Sequence, residues 1–212
     1  MKDRALMLDE AYERLFAGLA GTTGWKLLKS RHCLKTQVGD LVFQLNFYFS
    51  KYNRAEEYIV TQADFRLWYK AYGKACNANT IVASVPYRKK DGGWYDITTE
   101  GKLTAVLADL AGEIGETAVE LHERFLTDEA AALESLAGED FFRFNVSIGF
   151  IEDRLGRQTA ERLALASYER AIEPVKRQFA AFMSDGTVGG WLRNHRNYKY
   201  IAEHGLLPSQ LP

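Results

Sequence analysis

From Leu41 to Tyr69 the chain alternates. Leu41, Phe43, Leu45, Phe47 and Phe49 put a large apolar side chain at every second position, and Ile59, Ala63, Phe65, Leu67 and Tyr69 resume that period after the polar stretch Lys51–Glu57. A two-residue period is that of a strand with one face buried, so the pattern predicts two strands, each with a dry side. The opposite faces then carry Val42, Gln44, Asn46, Tyr48 and Ser50 on the first, and Tyr58, Val60, Gln62, Asp64, Arg66, Trp68 and Lys70 on the second.

Flanking segments extend this unit. Ala5, Leu8, Tyr12, Leu15, Phe16 and Leu19 fall at helical spacing and predict a helix over 3–20, with Gly21 as its stop. Trp25–Gln37 reads as one lysine-bearing edge strand, and Gly39-Asp40 as a tight turn into Leu41. A loop over Lys74–Ala78 leads to a strand over Asn79–Tyr87, with Pro86 suited to an edge. The turn Arg88–Gly93 then leads to a short strand over Trp94–Thr98. Consecutive strands without intervening helices imply antiparallel neighbours, about five in all.

The period then becomes helical. Leu103, Leu107, Leu110, Ile114, Leu121 and Phe125 predict a long helix over 102–126, and Thr127 is a candidate N-cap for a shorter one to Leu136. Glu139–Leu155 reads as strand or coil passing into helix. Gln158–Met183 reads as a helix kinked or broken at Pro174, and Trp191–His204 as the last helix. The expected fold is α+β: an antiparallel sheet packed on helices, with a C-terminal helical layer. Residues 1–136 would form the sheet domain, and residues 137–212 a helical extension packed on it in one compact unit.

Composition narrows the function classes without naming one. The 212 residues are 47% hydrophobic and 26% charged, with a formal net charge of −1, so no global field draws the chain to nucleic acid or anionic lipid. No apolar run reaches membrane-span or signal-peptide length, which makes a cytoplasmic location the expectation. Cys33 and Cys76 stand apart with no metal-binding spacing; reduced thiols are expected, and a disulfide between them stays open. The H-x-x-x-H, H-E-x-x-H, G-x-S-x-G, Walker and G-x-G-x-x-G patterns are all missing, so no cofactor and no metal is expected.

The order of elements resembles the bacterial family known as domain of unknown function 4304. The matching residues are Gly24-Trp25-Lys26, Gln44-Leu45-Asn46-Phe47 with Ser50-Lys51-Tyr52-Asn53, Trp94-Tyr95-Asp96, and Phe125-Leu126-Thr127-Asp128-Glu129. The resemblance covers residues 1–136 and departs from the family pattern where Gln44 precedes, rather than follows, the Asn-Phe pair. It implies a fold and no activity.

Three functional readings compete. The first is a non-catalytic binding or interaction protein that meets a protein or small-molecule partner through Asn46, Tyr48, Asp64, Arg66 and Trp68. That set offers a cation, a carboxylate, an amide and aromatic platforms on one sheet face. The second is a small-molecule or hydrolytic enzyme whose site lies between the sheet and the C-terminal helices. The third, ranked last, is nucleic-acid binding through Arg193, Arg196 and Lys199, interleaved with Trp191, Tyr198 and Tyr200. Against the third, Val188, Trp191, Leu192, His195, Tyr198 and Ala202 also fit one buried helical face. Asp109, Glu113, Glu116, Glu120 and Glu123 form an acidic stripe better read as solvated charge than as a metal site. Gly189-Gly190 could admit an anion at a helix start, though a linker is the default. No membrane partner is expected, and self-association stays open.

Overall fold

The computed structural model describes residues 3–69, 71, 81–89 and 92–208; the expected loop over 74–78, the start of the strand at Asn79, and Lys70, Cys76 and Lys90 lie outside them. The chain divides into two compact units, residues 1–132 and 133–212. The α+β expectation holds, with an antiparallel sheet and helices after it.

The first unit opens with helix α1 (Leu8–Thr23), followed by strands β1 (Lys26–Leu28), β2 (Cys33–Val38), β3 (Leu41–Phe49), β4 (Val60–Tyr69), β5 (Ile81–Tyr87) and β6 (Tyr95–Asp96). The sheet order is β1-β2-β3-β4-β5, all antiparallel, with β6 paired to the start of β4. Pro86 lies on the edge strand β5, where its missing N–H costs no ladder bond toward the outside. Strands β3 and β4 are the central pair, in register Phe43↔Leu67, Leu45↔Phe65 and Phe47↔Ala63. All six of those side chains are at most 4% exposed.

That dry face is covered within its own unit. From α1, Phe16 meets Phe47 edge-on at 5.3 Å, and Tyr12 stacks on Phe49 at 3.8 Å. A helical run comprising α2 (Glu100–Ile114), a π-turn over Gly115–Val119 and α3 (Glu120–Thr127) supplies His122 and Phe125, which stand edge-on to Phe43 at 5.1 and 5.7 Å. Helix α4 (Glu129–Leu136) follows, and the division between the units falls inside it.

Several expected boundaries move, each for a local reason. The segment 25–37 is two strands rather than one, because a 3-10 turn over Lys29–Arg31 ends at His32 in the left-handed region (φ 47°) and folds β1 back on β2. Helix α1 starts later than expected, since Asp3–Met7 runs extended and Leu6 N–H donates to Thr98 O at 2.9 Å. It also ends later: Gly24 (φ 66°), not Gly21, takes the left-handed cap. At the next junction Asp128, not Thr127, is the N-cap, its Oδ1 accepting from Ala131 N–H at 3.0 Å. Thr127 is still helical and donates its hydroxyl to Glu123 O.

The second unit continues through turns to helices α5 (Ile148–Leu155), α6 (Arg157–Glu169), α7 (Glu173–Asp185), α8 (Gly190–Asn194) and α9 (Arg196–His204). The ambiguous stretch 139–155 is therefore coil into helix, with no strand. Pro174 does break the predicted helix and sits in the first turn of α7, where a missing N–H is harmless. The expected last helix is broken at His195, which is extended (φ −94°, ψ 118°). The buried residues of α8 and α9 are Leu192, Asn197 and Ile201; Trp191, expected inside, is 47% exposed.

These short helices have no side-chain N-caps of their own and are capped from elsewhere in the unit. Asn197, 5% exposed, accepts from Ile148 N–H at 3.1 Å through Oδ1 and donates Nδ2 to Val146 O at 2.8 Å, closing the start of α5. Gln178 Oε1 accepts from Trp191 N–H at 2.9 Å at the start of α8, and Arg157 Nη2 donates to His204 O and Gly205 O at 3.1 Å at the end of α9. Orphan backbone groups at helix ends need such partners. Replacing Asn197 with Ala leaves a buried donor and a buried acceptor unpaired, so urea denaturation should show a loss of about 1–3 kcal/mol. Asn197→Asp, which keeps only the acceptor, should recover little of it.

Candidate functional site

Strand alternation places the polar residues of β3 and β4 opposite the dry face, and the antiparallel register sets who meets whom. Asn46 pairs with Asp64, Gln44 with Arg66, Tyr48 with Gln62 and Val42 with Trp68. Gln44 Nε2 donates to Asn46 Oδ1. Asn46 Nδ2 donates to Asp64 Oδ1 at 2.8 Å, and the Tyr48 hydroxyl donates to Asp64 Oδ2 at 3.0 Å. Arg66 reaches back along its own strand, placing Nε and Nη2 on Asp64 Oδ2 at 3.0 and 2.7 Å, with Nη2 also 2.6 Å from the Tyr48 oxygen. Four of the five expected site residues thus form one hydrogen-bonded cluster centred on Asp64.

Trp68 is on the same face and stands apart from the cluster. Its indole Nε1 is buried with no hydrogen-bond partner among the described residues. Beside it the β4–β5 register shifts between Leu67 and Trp68, leaving Val82 of β5 as the extra residue. Gln44 was on the predicted face but outside the expected site. The register, which puts it opposite Arg66, is the signal that would have added it.

The cluster is partly open, with side-chain exposure of 30% for Arg66 and 20% for Asp64. Its electrostatics are those of a settled surface. Partial burial, then the negative charge of Asp64, push the Tyr48 phenol up to about 12, and Arg66 only partly opposes them. Tyr48 is therefore a neutral hydrogen-bond donor at every physiological pH. Both Asp64 oxygens already accept, while the Nη1 nitrogen of Arg66 has no hydrogen-bond partner among the described residues.

Other candidates are placed differently. Arg193 Nη2 donates to Val188 O at 3.5 Å, Arg196 Nη2 donates to Asn145 O, and Lys199 pairs with Glu203 at 3.8 Å, so each of the three cations has a local acceptor. Of the acidic stripe, Glu120 pairs with Arg124, while burial and then the charge of Asp109 raise Glu113. Among the described residues no three His, Cys, Asp or Glu side chains group as metal ligands. His122 is a core residue against Trp25 and Phe43, and burial lowers its pKa. Gly189 needs no anion to explain it: the Gln178 side chain that caps α8 occupies the place where a Cβ would stand. Cys33 is a free thiol buried in β2 and pushed up by that burial; Cys76 lies outside the described residues.

No family model, curated protein or solved structure matches the chain. Among the described residues no helix is long and apolar enough to cross a membrane.

Three measurements test the cluster. Asp64→Ala leaves Arg66 without its carboxylate and should cost about 1–3 kcal/mol by urea denaturation. In the double-mutant cycle with Arg66→Ala, a coupling of about 1 kcal/mol is expected, and additive losses would remove the pair. Carbon-13 NMR of the Tyr48 ring should give a midpoint well above the ordinary phenol value of about 10. That midpoint should fall in Asp64→Asn, which removes a raising charge, and rise in Arg66→Ala, which removes a lowering one.

Proposed function

We propose that this protein is a non-catalytic binding protein that engages its partner through the polar-aromatic face of β3 and β4, with Asn46, Tyr48, Asp64, Arg66 and Trp68 as the contact residues. The observation that carries the reading is the Asp64-centred cluster. It fixes the Arg66 guanidinium in one orientation, so a partner's carboxylate or carbonyl meets a donor whose side-chain entropy is already lost. Arg66 Nη1 is the donor left over for it. Tyr48, at 39% exposure, supplies an amphipathic ring beside that donor.

An enzyme on the same face is the second reading, and the phenol argues against it. A catalytic base or nucleophile needs a pKa moved toward neutrality, and Tyr48 moves away from it. Nucleic acid is not the partner we propose, since Arg193, Arg196 and Lys199 have local acceptors. The partner we favour is a protein or small molecule rich in hydrogen-bond acceptors, met in the cytoplasm. The likeness of residues 1–136 to domain of unknown function 4304 belongs to the same proposal and adds no activity to it.

Peptides selected from a displayed random library against the whole protein test this. Binders should lose about tenfold or more affinity, about 1.4 kcal/mol, with Arg66→Ala and with Trp68→Ala. Trp191→Ala should leave them unchanged. Binders indifferent to both face variants would overturn the site, and hydrolysis of an ester or phosphate panel that stops in Asp64→Asn would favour the enzyme.

A further inference from the structure

The C-terminal unit contains a cavity of about 230 Å3 where three separate segments meet: the turns after α4, the end of α6, and the break between α8 and α9. Its polar lining is of an unusual kind. The Arg170 guanidinium carbon lies over the Phe142 ring, 3.8 Å from its centroid, and the group makes no hydrogen bond or ion pair among the described residues. Ser167 is only 5% exposed, and its hydroxyl has no hydrogen-bond partner among those residues. The Nδ1 nitrogen of His195 is buried and unpartnered as well. Of these groups His195 Nδ1 is buried outright, and a buried polar atom without a partner calls for an explanation, which a ligand in the cavity supplies.

Charge and shape specify the ligand further. No carboxylate lines the cavity, whereas Arg143 and Arg157 elsewhere in the unit are held by Asp140 and by Glu152 and Glu161. His195 is neutral, its pKa lowered by burial and by the adjacent charge of Arg196, so Arg170 is the cation of the site. Two stacked pairs border the space: Arg170 on Phe142, and His195 on Tyr198 at 4.1 Å and 26°. A planar fork pre-oriented on an aromatic ring matches the two oxygens of a carboxylate better than a spherical anion. The volume is below the roughly 300–1,000 Å3 of pockets for drug-sized ligands, which leaves room for one ring and its acid group.

We propose that this cavity binds a small aromatic or heteroaromatic carboxylate. Its acid group sits on Arg170 with a hydrogen bond from Ser167, and its ring lies between the stacked pairs. The site is independent of the sheet face.

Calorimetric titration of the whole protein with benzoate, benzamide, acetate and inorganic phosphate tests the assignment. Benzoate should bind, benzamide and acetate should bind at least about tenfold more weakly, and phosphate should not compete. Arg170→Gln should remove benzoate binding, and Arg170→Lys, which keeps the charge and loses the fork, should weaken it about tenfold. Arg170 is exposed, so both variants should fold, with thermal midpoints to verify it. Ser167→Ala should weaken binding several-fold, and Arg66→Ala should leave it untouched. No benzoate binding, equal binding of benzamide, tighter binding of phosphate, or benzoate binding that survives Arg170→Gln would each overturn the proposal.

Discussion

The packing of the β3–β4 dry face beneath α1 and the helical run 100–127 is the constraint on which the first unit depends. Phe43, Leu45, Phe65 and Leu67 are fully buried there, and each such side chain contributes about 1.5–3 kcal/mol of transfer free energy. Because successive side chains on a strand point to opposite faces, this burial also decides where the polar residues go. A one-residue slip in register would expose the phenylalanines and bury Asp64 and Arg66 together. Core and candidate site are two faces of one pairing, and neither can be moved alone.

What the polar face then becomes depends on how completely its groups satisfy one another. Asp64 receives donors from Asn46 and Tyr48 on β3 and from Arg66 on β4, so both of its oxygens are occupied. The phenol beside it is pushed up to about 12 by burial and by that neighbouring charge, and so stays a neutral donor. The same bonds hold the Arg66 guanidinium in place, so its side-chain entropy is already lost in the folded chain.

The C-terminal unit solves a different problem. Its helices are short, and isolated helices of such length are marginal in water. Their stability comes from packing around Phe150, Phe179, Leu192 and Ile201, and from caps supplied by other helices. Asn197, Gln178 and Arg157 each satisfy backbone groups far away in sequence. Where several helix ends converge in this way, space is left between them. The cavity beside Ser167, Arg170 and His195 occupies such a junction.

By itself the amino-acid sequence determined the elements whose signal is periodic. The two-residue alternation of 41–49 and 60–69 specified both central strands and their dry side. With them it placed Asn46, Tyr48, Asp64 and Arg66 on one surface, because strand geometry leaves no other arrangement. The three- and four-residue spacing of 103–125 specified the covering helices, and Pro174 the break before α7. Only the tertiary structure decided which of the two glycines, Gly21 or Gly24, would cap α1, and with it the hairpin at His32 and the π-turn at 115–119. Thr117 in that turn meets the Tyr87 hydroxyl, 30 residues away, at 2.6 Å. The bonds around Asp64 and the gathering of Ser167, Arg170 and His195 belong to the same class: each joins side chains from separate segments, and no local pattern records which distant residue a side chain will meet.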